Sequence, residues 1–339
     1  MIIQTYGDEQ DIRLPQFIGA KKLPELFHVC QQVRQSDGDI VLNGQDVQFI
    51  DPLGIAVLGA LLEPIRAERR CRIEWLNVNV GTYIDRMDLI SRCEIEGVIS
   101  NCGVRHDRKD RLAELRCVRN AHEVDQAADS LATAIAGKLT PANPDESIDM
   151  ETGRNKFDDF RYPLAYVLRE LLLNSLTHAR KEGRGDAAVW VAAQHYTPES
   201  EVQLAVVDNG CGILSTLQNS PAVKSKTHAD AIHAALEPFV TCNPDIGLPG
   251  GTANQGVGLT TTRRIANAAR GTLLIATGDT ATRALSAHHL TDIGLGPTGF
   301  WPGVAIQATF RRSDLPAINI PSLLPKIASD SDIELRFTQ

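Results

Sequence analysis

Glu170 opens and Asn174 closes the run ELLLN, and a helix through it sets a carboxylate and a carboxamide one turn apart. Further on, Asp208 ends an alternating apolar run (Val202, Leu204, Val206) and is followed at once by Asn209, Gly210, Cys211, Gly212 and Ile213. An acid at a strand end can accept a hydrogen bond from an exocyclic amine such as that of adenine. The two glycines let the backbone turn sharply and approach a ligand. Gly256, Val257, Gly258 and Leu259 precede a helical pattern, where free amides at the positive end of a helix suit a phosphate. Each stretch alone has a bland alternative: a solvated helix face, an Asp-Asn-Gly turn, a flexible linker. Their order together describes a nucleotide pocket.

The elements that must position these residues are legible from periodicity. A long helix is expected over 163–181, with Pro163 in its first turn. On it Glu170, Asn174, Thr177, His178 and Lys181 share one polar face, and Leu164, Leu168, Leu172, Leu176 and Ala179 lie opposite. Strands are expected over 115–118, 187–193 and 202–207, an amphipathic helix over 123–136, and a loop through the Pro- and Asp-rich 139–155. The weakly patterned, Gly/Pro/Ser/Thr-containing stretch 214–255 reads as a mobile lid. A helix over 258–269 and strands at 272–276 and 304–310 complete the module, leaving 313–339 as a tail that is an appendage or a partner-contacting arm.

The first hundred residues alternate strand-like and helix-like runs: strands at 39–44 and 71–76, helices at 54–69 and 82–90. That alternation favours an α/β layer. Between residues 93 and 112 the pattern lapses into polar, charged sequence, the expected domain boundary.

Composition narrows the function classes. Hydrophobic residues make up 43% and charged residues 22% of 339, as in a folded chain long enough for two domains. A net charge of -8 argues against a general nucleic-acid or anionic-membrane binder, with one local basic stretch at 105–111. The absence of a long apolar run or a signal-like N-terminus leads to the expectation of a cytoplasmic protein. The seven cysteines are scattered without a C-x-x-C pair, so neither a zinc site nor a disulfide framework is expected.

The ordered motif set resembles the GHKL ATPases, the family of gyrase, the ninety-kilodalton heat-shock chaperone, histidine kinases and MutL. Glu170 with Asn174 looks like the N-box, residues 208–212 the D-x-G-x-G box and 256–259 the G-x-G-L box, across about residues 108–312. The resemblance implies a two-layer α/β sandwich with a mobile ATP lid. It also implies Asn174 as the ligand of a Mg²⁺ bridging the phosphates, and Asp208 with a water as the reader of adenine. His178, Gly210, Gly212, Ile213, Gly256, Gly258 and Leu259 would complete the ATP-binding wall, and Glu170 would orient or deprotonate the attacking oxygen. ELLLNSLTHA is closest to the anti-sigma serine kinases, and Val304 stands where many members carry a threonine. Residues 1–100 resemble a STAS domain through 41–62 and 83–90, although Asp51 is followed by Pro52 where such antagonists carry a phosphorylatable serine. The implied protein is bacterial and forms a homodimer. Three activities stay open: an ATPase that switches a protein interface, a serine/threonine kinase acting on a separate, unidentified partner, and a nucleotide-gated scaffold without turnover.

Overall fold

The computed structural model describes residues 9–98, 102, 112–151, 153–180, 185–241, 256–286 and 289–325. The N-terminal part runs β1 (Gln10–Arg13), β2 (Phe17–Ile18), α1 (Leu23–Gln35), β3 (Ile40–Asn43), β4 (Phe49–Ile50), α2 (Pro52–Ile65), β5 (Cys71–Glu74), α3 (Val78–Arg86) and α4 (Leu89–Cys93). Strands β1, β3 and β5 form a parallel sheet in that order, with Ile12 opposite Leu42 and Leu42 opposite Ile73. Helix α2 begins where Asp51 caps the Gly54 amide, and Pro52 follows in the first turn, where its missing N–H leaves no helical bond unmade. Every residue from Pro52 to Glu63 is buried, so this helix, apolar on all sides, is a core element and not a surface helix.

The second part runs β6 (Leu112–Val118), α5 (Val124–Leu139), α6 (Lys156–His178), β7 (Val189–Tyr196), β8 (Glu201–Asp208), α7 (Gly212–Leu217), α8 (His228–Leu236), α9 (Gly258–Ala268), β9 (Leu273–Gly278), β10 (Thr280–Ala284), β11 (Leu290–Gly294), β12 (Trp301–Arg311) and α10 (Ile320–Leu323). Seven of these strands make one antiparallel sheet in the order β11-β10-β9-β12-β8-β7-β6.

Period-two alternation divides that sheet between two cores. Val189, Val191, Val206, Leu273, Ile275, Ile306 and Ala308 pack with α5, α6 and α9. Trp190, Ala192, Ala205, Val207, Leu274, Ala276 and Trp301 pack with the N-terminal part. The expected two-layer sandwich is therefore covered on its second face, and α2 is the element laid against β7 and β8. Glu63 of α2 accepts hydrogen bonds from Trp190 Nε1 and from Arg119, the latter at 2.6 Å, and the Tyr83 hydroxyl donates to Gln194 at 2.8 Å.

Several expectations are corrected. Helix α6 starts seven residues before Pro163, because Asn155 accepts from the Asp158 amide at 2.9 Å and Asp158 and Asp159 favour the positive helix end. Pro163 is thus interior and buried. The weakly patterned stretch 214–255, expected as a lid, holds most of α7 and all of α8 within its described residues. Strands β10 and β11 went unforeseen, since Thr280–Ala284 carries threonine and arginine among alanines and has little apolar signal. In the expected tail, Leu315, Ile318 and Ile320 are buried in the helix-side core, and just before it Arg312 Nε donates to Leu139 O at 2.6 Å. Lys181, the basic stretch 105–111, Cys242 and residues 326–339 lie outside the described residues. Among the described residues no helix is long and apolar enough to cross a membrane.

Candidate functional site

A cleft open to solvent lies between α6, the end of β8, α7, the start of α9 and β12. Of the residues expected at the site, Asn174, His178, Asp208, Gly212, Ile213, Gly256, Gly258 and Leu259 line it. Glu170 and Gly210 are not among its walls. Gly210 serves as packing, with its Cα so close to the end of α6 that a Cβ would lie 2.6 Å from Ala179 O.

Asp208 forms the polar floor. It is 1% exposed, and its Oδ1 accepts from the Gly210 amide at 3.0 Å and the Val304 amide at 3.1 Å. The Ser175 hydroxyl also donates to this carboxylate. Burial outweighs these bonds and the nearby His178, and lifts the carboxyl up to about 6. Gly212 holds the turn beyond it at φ +78°, with the space for a Cβ taken by Pro302 O and Thr277 Oγ1 at 2.7 and 2.8 Å. Around the floor the walls are apolar: Ile213, Leu217, Val240, Leu259, Val304 and Ile306. A flat heteroaromatic ring buried against such walls, with one acid to fix its orientation, is the chemistry this arrangement accepts.

The other end of the cleft is polar and tight. Gly258 opens α9, and among the described residues no side chain caps its first amides. Those amides and the helix dipole point positive charge at the cleft. A Cβ on Gly258 would collide with Glu170 Oε2 and lie 3.0 Å from Asn174 Nδ2, so the carboxylate, the carboxamide and the helix start meet at one point. Burial raises the Glu170 carboxyl above its ordinary value, opposed by Arg169. A carboxylate with raised affinity for protons beside an anion-binding helix end can accept one from water.

A divalent ion has only limited protein support here. Among the described residues no group of three or more His, Cys, Asp or Glu is placed to hold a metal. Asn174 offers one oxygen, so an ion at this point fits only with phosphate oxygens and waters completing its shell, an arrangement common for Mg²⁺.

Sequence reasoning missed Ser175, Thr216, Thr241, Val240, Ile306, Thr277 and Trp301. Ser175 was hidden because, one residue from Asn174, it sits on the buried side of α6 at 7% exposure and still reaches Asp208. Trp301 carried no local signal, since its contact with Asp208 spans 93 residues.

With this geometry in place, the family comparison has a structural counterpart. Residues 161–289 match the family model described as histidine kinase-, DNA gyrase B-, and HSP90-like ATPase. That interval is a GHKL-type ATPase domain, and it carries every expected site residue from Glu170 to Leu259. Domains of this family bind ATP. No curated protein matches the chain.

Proposed function

We propose that the chain binds ATP with Mg²⁺ in this cleft and hydrolyses it, using the nucleotide cycle to switch a protein–protein interface. The observation that carries the reading is the meeting of Glu170 Oε2, Asn174 and the start of α9 at Gly258. Asp208 takes the adenine amine, the apolar walls take the ring, and the α9 amides take the phosphates. Glu170 accepts the proton of the attacking water as the bond between the terminal phosphorus and the leaving oxygen breaks. Its upward shift keeps the carboxylate a competent base near neutral pH. Replacing Glu170 by Gln is expected to lower phosphate release by about 10²- to 10⁴-fold with ATP affinity retained, measured by phosphate release and calorimetry in parallel. Equal release from wild type and Glu170→Gln would sink the hydrolytic reading and leave a nucleotide-gated scaffold.

A second reading is phosphotransfer to a separate protein, as an anti-sigma-type kinase. Its support is the start of α2, where we read the N-terminal part as STAS-like: Pro52 fills the position after Asp51, and the Asp51 carboxylate is occupied by the Gly54 and Ala20 amides at 2.9 Å each. No hydroxyl stands at that position to accept phosphate, which favours an acceptor on a separate protein. Label from the γ-phosphate appearing on a co-purified protein, and not as free phosphate, decides for this reading. The homodimer belongs to the same proposal, and sedimentation with and without ATP tests it.

A further inference from the structure

We infer that Trp301 is a positioning residue for base recognition, through which the N-terminal part holds Asp208 in the cleft. The inference rests on the ATP reading above. Trp301 is fully buried, and its Nε1 donates to the Asp208 backbone carbonyl at 3.0 Å. The same ring packs against α1, with Phe27 at 5.7 Å between centroids and Arg34 Cζ 4.6 Å above the ring. One side chain therefore touches both the adenine-reading strand end and the first helix of the N-terminal part.

The backbone is built to bring it there. Along β12 the register against β9 passes from Trp301 opposite Gly278 to Ala305 opposite Ala276, so four steps on one strand face two on the other. The bulge lifts residues 302–304 out of the ladder and wraps them over Asp208. A Cβ on Gly303 would overlap the Asp208 carbonyl and lie 2.6 Å from its Oδ1. Val304 N meets that same Oδ1 at 3.1 Å. Trp301, Gly303 and Val304 thus clamp both the main chain and the carboxylate of Asp208, while the antiparallel ladder to β8 resumes only at Ala305 and Val207. A tryptophan serving only as core filler needs no bulge and no bond to that one carbonyl. Arg34, over the ring face, is the handle by which movement of α1 reaches the clamp, because a guanidinium over an indole fixes the ring's orientation.

The test is a comparison of ATP with inosine triphosphate, in which an oxygen replaces the exocyclic amine, on full-length protein. Wild type is expected to prefer ATP, and Asp208→Asn to lose that preference. Trp301→Phe keeps an aromatic ring and removes the N–H, and is expected to lower the ATP-over-inosine preference roughly 3- to 10-fold, the range of one lost hydrogen bond. Arg34→Met, which keeps bulk and removes the charge, is expected to lower it in the same direction by about twofold. A merely structural role for Trp301 would lower the melting temperature and weaken both nucleotides alike. An unchanged preference in Trp301→Phe overturns the inference. Should that variant fail to fold, Arg34→Met decides alone, and an unchanged preference there overturns it. A wild type that does not distinguish the two nucleotides overturns the ATP reading itself, a separate and recognisable failure.

Discussion

Asp208 is the residue whose environment makes the sharpest quantitative demand. Burial lifts its carboxyl from an ordinary 3.8 to about 6, so the folded chain holds that proton more tightly than the unfolded chain does. The resulting stabilisation is complete below pH 3.8 and is lost as pH rises through about 6, leaving at neutral pH a buried charge that opposes folding. Asp208→Asn is therefore expected to raise stability at pH 7, on the order of 1 kcal/mol, with the advantage gone below about pH 4. Wild-type ATP affinity is expected to fall as pH drops through about 6, because only the ionised carboxylate accepts the amine fully. Melting curves across pH 4–8 and calorimetry check the two halves; an Asn variant less stable than wild type at pH 7 would show that the carboxylate's hydrogen bonds outweigh its burial. The place of Asp208 at a strand end was legible in sequence, because an acid after an alternating apolar run and before Asn-Gly is a local pattern. Trp301 and Ser175, which fix its geometry, were not, because one acts across a non-local bulge and the other sits on what reads as the core side of a helix.

At the scale of elements, the site is the junction of two helices, α6 and α9; the buried face of α6 follows the period read in the sequence, while its start does not. Leu164, Leu168, Leu172, Leu176 and Ala179 are buried as a 3.6-residue period demands. The N-terminus of α6 was misplaced because Pro163 is a stronger local marker than the Asn155 cap that governs it. The hairpin β10–β11 was invisible for a different reason: Ala281 and Ala284 are buried but too small to give an alternating signal. The junction itself predicts the effect of Gly258→Ala. The added methyl would collide with Glu170 Oε2, so either α9 retreats from the cleft or the carboxylate is displaced. Alanine favours a helix over glycine by about 1 kcal/mol, so thermal stability should change little. ATP affinity should nevertheless fall about tenfold or more, together with phosphate release. Unchanged affinity in calorimetry would mean that the start of α9 does not bind phosphate.

Over the whole molecule, the two parts that sequence suggests as separate domains share a core. Sequence shows α2 as an apolar helix but not its partner, because a helix buried on all sides carries no face to indicate direction. In the fold that partner is the outer face of the nucleotide-binding sheet, joined by Glu63, whose side chain is 7% exposed and accepts from Trp190 Nε1 and Arg119. Glu63→Ala leaves the buried Trp190 N–H without an acceptor, whereas Arg119, half exposed, rehydrates. The expected loss is about 2 kcal/mol, near the cost of one unsatisfied buried donor plus a small cavity, and Glu63→Gln should recover most of it by restoring the acceptor. Because Trp190, Ala205 and Leu274 lie in one cluster with Leu26, Leu42 and Leu58, unfolding in denaturant should be a single transition for wild type, reported together by tryptophan fluorescence and far-UV circular dichroism. A shared core also means that Glu63→Ala should shift the midpoint of both probes equally. Separation into two transitions in the wild type would show that the N-terminal part folds independently, and would remove the physical link by which its packing reaches the nucleotide site.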